Sequence, residues 1–389
     1  MIEETEIKLK LSSETMTLLI DHPLINDRVV GDWQTVQLYN QYFDTTNMAL
    51  DQADLALRLR KDGEQVIQTL KGRGNCVGGL FVRNEKDWYI DNYELDLEVL
   101  ACSCWPKELA DLDKRSIVPI FTNHFTRTKA LLKWLWQNQV VEVEVAFDVG
   151  SVNSADANDD ICEFELEIRQ GPLGALMELA LELAFRFSLI PSSISKAERG
   201  YNLLKMGSKQ STNSLSLTKH HIATLDDMIS TTAKILVNRF QYLIEAIYTF
   251  PDIDKLKKIK LQQVLLCEFI VSMGGRIKAP DYEQFQFLLT AVDDQIHSLL
   301  QGNLSTSDFV SACNYCFKQP TWGFLCLKLT KWYLLKEWQD LKLCEKTDYL
   351  QTHFNEWSNK NTTFNEVYSD DILVNFFTID HNDDLQHFK

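Results

Sequence analysis

Charged residues recur at every second position in three short stretches of this chain, and that period limits its fold more than any other feature. Glu4, Glu6 and Lys8 form the first set, Arg58 and Arg60 the second, and Glu163, Glu165 and Glu167 the third. Successive side chains of an extended strand point to opposite faces, so each set projects from one face. The residues between them are mostly apolar: Ile7 and Leu9, Leu57 and Leu59, Phe164, Leu166 and Ile168. Charges turned to water are the commonest cause of such alternation. Grouping by sign points elsewhere. Carboxylates two residues apart stand roughly 7 Å from each other. At that spacing they repel by about 2 kcal/mol per pair at an effective dielectric near ~20. Water screens this on a surface, but a confined site needs cations or metal ions among the acids.

Cationic candidates lie in the same half: Arg58, Arg60, Lys71, Arg83, Arg127, Lys129, Lys196 and Arg199. Acidic and basic strands in one sheet would line a cavity able to hold a polyanion together with metal ions. Triphosphate suits such a cavity, because Arg forks match its oxygens in bidentate fashion. Mg2+ or Mn2+ favours hard carboxylate oxygens. Phosphoryl transfer asks for positioning and charge stabilisation, so no Ser, Cys or His nucleophile is required. Two ions would divide the work, one bridging phosphate oxygens and the other activating a water.

Strand-like runs of period two fall near residues 2–10, 34–44, 54–61, 65–71, 80–90, 93–99, 120–129, 139–148 and 161–169, with glycines between several of them. So many antiparallel strands with one charged face predict a closed or nearly closed barrel, which removes edges and gives the charges an interior. Leu173–Ser188 reads as a helix opened by Pro172. The Ser/Thr-rich segment 206–221 reads as a linker between a first domain at 1–205 and a second at 222–389. Beyond it, apolar residues at three-and-four spacing predict helices: Ile229 to Ile247, Phe285 to Leu299, and a Trp- and Leu-rich run over 321–343. The second domain is expected to be an all-α bundle.

The 389 residues carry 39 Lys plus Arg against 55 Asp plus Glu, a formal net charge of −16. That balance argues against a general nucleic-acid or anionic-membrane binder. Met1 leads straight into a strand-like segment, and no apolar run reaches the ~18–20 residues that span a bilayer. Scattered cysteines, with Cys313 and Cys316 the one close pair in a helical context, fit a reduced, cytoplasmic protein.

Glu4-Thr-Glu6-Ile-Lys8 resembles the E-x-E-x-K signature of the CYTH superfamily, the triphosphate tunnel metalloenzymes. The remaining pieces follow in that family's order: Tyr42-Phe43-Asp44-Thr45, Ala56-Leu57-Arg58-Leu59-Arg60, Thr69-Leu70-Lys71, Arg83 with Glu85, Phe125-Thr126-Arg127, Glu142 and Glu144 with Asp148, the Glu163–Glu167 strand, and Ser195-Lys196 with Arg199-Gly200-Tyr201. The resemblance implies an eight-stranded antiparallel tunnel with flanking helices, an α+β fold, that binds triphosphate end-on. It implies Glu4, Glu6, Glu165 and Glu167 as metal ligands, with Glu163 and Asp148 either joining them or standing behind them. Arg58, Arg60, Lys71, Arg83, Arg127 and Lys196 would grip phosphate. Lys8 would contact phosphate or orient the attacking water, while Glu85 and Glu144 would hold the arginines in place.

Members of the superfamily act on different triphosphates. Gly78-Gly79-Leu80, Ile161-Cys162-Glu163 and Ser193-Ile194-Ser195-Lys196, with a helical second half, are similar to the two-domain bacterial CYTH–CHAD inorganic triphosphatases. These convert tripolyphosphate to diphosphate and phosphate. Thiamine or nucleoside triphosphatase, adenylate cyclase, and a non-catalytic polyphosphate-binding protein are the alternatives. The helical half departs from the CHAD pattern: Asp254 to Gln263 keeps four lysines but has neither the His nor the arginines. It reads as a solvated face on a packing or homodimerisation domain rather than a polyphosphate dock.

Overall fold

The computed structural model describes residues 2–72, 74–101, 105–155, 157–207, 225–273, 276–302 and 304–339. Its first half is built on β1 (Ile2–Lys10), β2 (Val29–Asp44), β3 (Leu55–Asp62), β4 (Gln65–Gly72), β5 (Asn75–Val77), β6 (Leu80–Ile90), β7 (Val118–Trp136), β8 (Gln139–Asn153), β9 (Asn158–Gln170) and β10 (Ile190–Pro191). The hydrogen-bonded order β1-β9-β8-β7-β2-β3-β4-β6 returns from β6 to β1, closing eight antiparallel strands into a barrel. The short strands β5 and β10 flank it on β6 and β1. The strands run longer than the alternation alone predicts. Between β7 and β8 the turn is Gln137-Asn138, both with positive φ (48° and 64°), the two-residue geometry that matches strand twist.

The barrel is apolar outside and charged inside. Ile7, Leu9, Val141, Val143, Val145, Phe164 and Leu166 turn outward and are almost wholly buried. They lie under α4 (Leu173–Ala184), whose Leu176, Met177, Ala180 and Leu183 cover them, with Leu19 of α1 (Ser13–Ile20) and Ile25 of α2 (Pro23–Asn26) beside it. A second outer layer joins Leu57, Leu59 and Leu70 to Leu50 of α3 (Ala49–Gln52) and to Leu100 and Ile117 of the long β6–β7 connection. Residues 93–99, expected as a strand, belong to that connection. Asp96 exchanges two amide hydrogen bonds with the Gln68 side chain (3.0 and 2.8 Å), which satisfy its backbone without a strand partner. Leu95 and Leu97 still pack on the barrel, so alternation survives without the ladder.

One end of the barrel is plugged. Leu38, Tyr42, Phe121, Phe125, Val152 and Ile161 form an apolar layer closed by Tyr201 of α5 (Lys196–Gly207). A Cβ on Gly200 would lie 2.1 Å from the Phe121 ring, so α5 reaches this depth only because that position has no side chain.

The helical region comprises α6 (Leu225–Thr249), α7 (Ile253–Ser272), α8 (Ala279–Gln301), α9 (Thr306–Phe317) and α10 (Pro320–Leu334) among the described residues. Asp252 and Ser305 cap α7 and α9 through their side chains, and prolines open α8 and α10. Phe240, Leu265, Phe269, Phe285, Trp322 and Trp332 fill its core. The run expected over 321–343 stops as a helix at Leu334, and its end from residue 340 lies outside the described residues, as does most of the expected linker. On α7, Lys257 and Lys258 face water, and Lys260 pairs with Asp293. No described helix is long and apolar enough to cross a membrane.

Barrel and helices share a core. Val77 and Ile190 pack among helical residues, and Leu327 of α10 packs among the outward residues of the barrel. Since the barrel's hydrophobic stabilisation lies outside its wall, Leu166→Ala is expected to cost about 2–5 kcal/mol in chemical denaturation. A loss below about 0.5 kcal/mol, the range of a surface substitution, would contradict that placement.

Candidate functional site

Strand register carries the charged residues around the inner wall. Residues directly opposite in an antiparallel pair point the same way. Arg127, Asp148, Glu163 and Lys10 are opposed in turn across β7, β8, β9 and β1. One rung along, Lys129, Ala146, Glu165 and Lys8 follow, and then Leu131, Glu144, Glu167 and Glu6. Glu4 stands opposite Arg83, Lys71 opposite Glu85, and Arg60 opposite Asn40, which in turn faces Asn123. Sequence-distant charges are thereby brought into one interior.

They line a cavity of about 1100 Å3. Glu4, Glu6, Lys8, Arg58, Arg60, Lys71, Arg83, Glu85, Arg127, Glu144, Glu165, Glu167 and Lys196 all border it; Asp148 and Glu163 do not. These two are fully buried behind the wall of the cavity and anchor its cations. Arg127 forks onto Asp148 (2.7 and 2.6 Å) and reaches Glu165 at 2.6 Å. The Lys196 ammonium sits 2.7 Å from Asp148, 2.7 Å from Glu163 and 2.9 Å from Glu165. Arg199 turns away from the cavity to Glu163 (2.8 Å) and Asp159 (3.1 Å). Glu85 binds Arg58 at 3.0 Å and also Lys71, while Glu6 binds Arg83 and lies 3.4 Å from Lys8. Glu144 pairs with Lys129 and Arg169.

Burial works against every one of these charges, and the pairs outweigh it for most. Desolvation alone would raise Glu163, but Lys196 and Arg199 bring it down to about 2. Glu165 is held well below the carboxylate range against the same desolvation by Lys196, Lys8 and Arg127. Lys8 and Lys196, which burial would neutralise, are raised by Glu165 and Glu163 and by Asp148, Glu163 and Glu165 respectively.

Arg83, Arg60 and Glu167 escape this balance; burial lowers Arg83 despite Glu4, Glu165, Glu85 and Glu167. Arg60 has no carboxylate partner among the described residues; its Nε donates to Asn40 Oδ1 at 2.8 Å, and Asn40 is itself held by Asn123. Burial, with Arg58 and Arg127 nearby, pulls Arg60 down to about 10. Glu167 is pushed up to about 7 by burial and by Glu4, Glu144 and Glu165. Its ion pair with Arg169 (2.6 Å) does not reverse this, because Arg169 is 44% exposed and therefore screened. One wall of the cavity thus lacks a carboxylate at Arg60, and another gathers carboxylates around Glu167, whose cation Arg169 is exposed.

A metal ion has two acidic groups to choose from. Oxygens of Asp148, Glu163 and Glu165 all lie within 4.8 Å of one another, but the Lys196 ammonium already occupies that cluster. Glu4, Glu6, Glu165 and Glu167 line the open cavity. Carboxylate oxygens alone, without His or Cys, suit a hard divalent ion such as Mg2+ or Mn2+, so these residues fit one.

Several cavity residues carry no signal in the sequence. Ser230, Lys234, Asn238 and Tyr242 of α6 border the cavity although they lie beyond the barrel's last strand. Asn40 reads as an ordinary polar residue until its register with Arg60 and Asn123 is known. Cys313 and Cys316 are buried and pushed up to about 11 by desolvation, which removes thiolate character.

Residues 3–201 match the CYTH domain family. An inorganic triphosphatase of Haemophilus influenzae is 31% identical over 210 residues, covering 54% of this chain and 56% of that protein, so the chain spans little more than half the length of this curated relative. Among solved structures, a Hippeastrum adenylyl cyclase described as having a dominant triphosphatase activity aligns with 56% of this chain and 100% of its own, at 21% identity and a TM-score of 0.37. The PH1012 protein of Pyrococcus horikoshii aligns with 50% of this chain and 98% of its own, at 14% identity and a TM-score of 0.32. With the family match covering about half of the 389 residues, from the first strand to the helix that plugs the barrel, the chain belongs to the CYTH family.

Proposed function

We propose that the barrel hydrolyses inorganic triphosphate to diphosphate and phosphate with a divalent ion, Mg2+ or Mn2+. The observation that carries this reading is the uneven charge pairing within one cavity: Arg60 has no carboxylate partner among the described residues, and Glu167, crowded by Glu4, Glu144 and Glu165, has its ion pair with the exposed Arg169. Triphosphate would supply anionic oxygens to Arg60, and a divalent ion would supply positive charge beside Glu167. The Haemophilus influenzae relative, named an inorganic triphosphatase, supports the same chemistry.

In this reading Arg58, Arg60, Lys71, Arg83, Arg127 and Lys196 grip the phosphates, and Glu4, Glu6, Glu165 and Glu167 hold the metal. Asp148 and Glu163 keep Arg127 and Lys196 in place, Glu85 keeps Arg58 and Lys71, and Glu144 keeps Lys129 and Arg169. Lys8, between Glu6 and Glu165, contacts phosphate or orients the attacking water. The divalent ion, when bound, neutralises phosphate charge and lowers the pKa of a water. Arg83, Arg127 and Lys196 pair with Glu6 and Glu165; were they to turn to phosphate oxygens, those carboxylates would be left to hold a divalent ion. Substrate and metal then complete the charge balance together.

Phosphate release from tripolyphosphate, ATP and thiamine triphosphate, with Mg2+, with Mn2+ and with EDTA, tests this. Tripolyphosphate is expected to show the highest kcat/KM, and EDTA to abolish turnover. Faster ATP hydrolysis or cyclic AMP formation would assign another CYTH activity, and tight tripolyphosphate binding without release would leave a binding protein.

Arg60→Ala is expected to lower kcat/KM by the worth of a charge-assisted contact, about 1.5–3 kcal/mol. The same variant should melt no lower than the native protein in the absence of ligand, since it removes a half-buried cation that has no carboxylate partner among the described residues. Lower melting with native kinetics would make Arg60 structural.

Glu167→Gln has its own pH signature. A carboxyl whose folded pKa is raised binds its proton more tightly in the folded state, so ionising it costs stability as pH climbs from about 4.5 to about 7. In metal-free protein, the melting temperature of the Gln variant should therefore gain on the native one between pH 4.5 and pH 8. A difference that stays constant over that range would mean Glu167 is not electrostatically strained.

A further inference from the structure

We infer that Glu245 of the helical region is a positioning residue for Lys196, making α6 part of the phosphate-gripping apparatus of the barrel; this rests on the tunnel reading above. Glu245 is 1% exposed and belongs to α6, beyond the barrel's own stretch of sequence. Its carboxylate closes on the segment that leads into α5. Ser192 Oγ donates to Oε1 at 2.5 Å, and the Ser193 amide donates to Oε2 at 2.9 Å. Gln241, one turn earlier, donates to Glu245 Oε2 (3.1 Å) and to the Pro191 carbonyl (2.7 Å), and accepts from Ser193 Oγ. On the barrel side the Ser192 amide donates to the Lys8 carbonyl at 2.8 Å. Chain direction is thus fixed at Pro191, Ser192 and Ser193, one residue short of Ser195, whose Oγ accepts from the Glu198 amide (3.1 Å) at the start of α5. Lys196 is the first residue of that helix, and its ammonium must meet Asp148, Glu163 and Glu165 together.

Lys10 supplies the second reason. It stands directly opposite Glu163 across the β1–β9 ladder, on the same inner face, yet it pairs with Glu245 at 3.4 Å and donates to Thr249 Oγ1 at 3.1 Å. Glu245 therefore draws Lys10 away from Glu163 and leaves that carboxylate to Lys196 and Arg199. Without Glu245 the Ser193 amide loses its acceptor, and Lys10 becomes free to compete for Glu163. Packing alone does not require a buried acid here, since an unsatisfied or poorly paired carboxylate is costly.

The test uses the full chain with Glu245→Ala, Glu245→Gln and, as a control, Leu265→Ala in the helical core. Tripolyphosphate hydrolysis with Mg2+ is measured where each variant is folded, with amide hydrogen exchange over residues 190–200. Glu245→Ala is expected to lose roughly tenfold or more in kcat/KM, as misplacement of a phosphate ligand does, and to exchange faster from Ser192 through Arg199. Glu245→Gln should recover part of both, because its amide oxygen still accepts from Ser193. Leu265→Ala should melt lower with native kinetics. Native kinetics in folded Glu245→Ala, or an equal loss in Leu265→Ala, would overturn the inference. If Glu245→Ala does not fold, Glu245→Gln decides it: a several-fold loss supports the role and native kinetics overturns it. Absence of turnover in the native protein would instead defeat the tunnel reading. Tripolyphosphate binding by calorimetry then judges Glu245, weaker binding in the variants supporting it and equal binding overturning it.

Discussion

Mutual neutralisation of charge inside a closed wall is the constraint on which the rest of this structure depends. A buried ion is tolerated only when it is paired and its remaining hydrogen bonds are met. The Lys196 ammonium among Asp148, Glu163 and Glu165, and the Arg127 fork on Asp148, meet that condition. Each carboxylate is shared by more than one cation, so the interior is a network rather than a set of pairs. The network thins at Arg60, which has no carboxylate partner among the described residues, and at Glu167, whose cation Arg169 is exposed.

Filling a barrel with charge has a mechanical consequence. The interior cannot serve as the hydrophobic core, so the wall's apolar residues face outward and need covers. Helix α4 with the first two helices covers one outer layer, and α3 with the β6–β7 connection covers another. Only the plugged end keeps an apolar interior, where α5 presses against Phe121 at Gly200. That plug also delivers Lys196, so the element that seals the barrel carries one of its cations.

The helical region takes part in the same arrangement. The β5–β6 turn inserts Gly78 against Thr330, where a Cβ would come within 1.8 Å of the hydroxyl, and its amide donates to Asn238. From that turn, β6 runs on to Arg83 and Glu85. The 190–193 segment, gripped by Gln241 and Glu245, runs on to Lys196. Two cation-bearing segments of the barrel are therefore anchored by helices that the barrel's own sequence pattern gives no reason to expect.

Much of the barrel was legible because strand period is a local property. Two-residue alternation at Glu4–Lys8, Arg58–Arg60 and Glu163–Glu167 follows from backbone geometry alone, and it placed each set on one face whatever the partner strands. Family resemblance over about half the chain then ordered the pieces. Alternation misled at residues 93–99, because an apolar period can be met by packing on a wall without a ladder. It was silent on Asn40, whose role comes from register with Arg60, and on Glu245, whose contacts span tens of residues of intervening chain. By itself the sequence determined which faces carry charge and that two halves differ in character. Which charges neutralise each other, which remain unbalanced, and how the helices hold the barrel's cations were decided only by tertiary closure, since Coulomb and hydrogen-bond energies depend on distances that register and packing set.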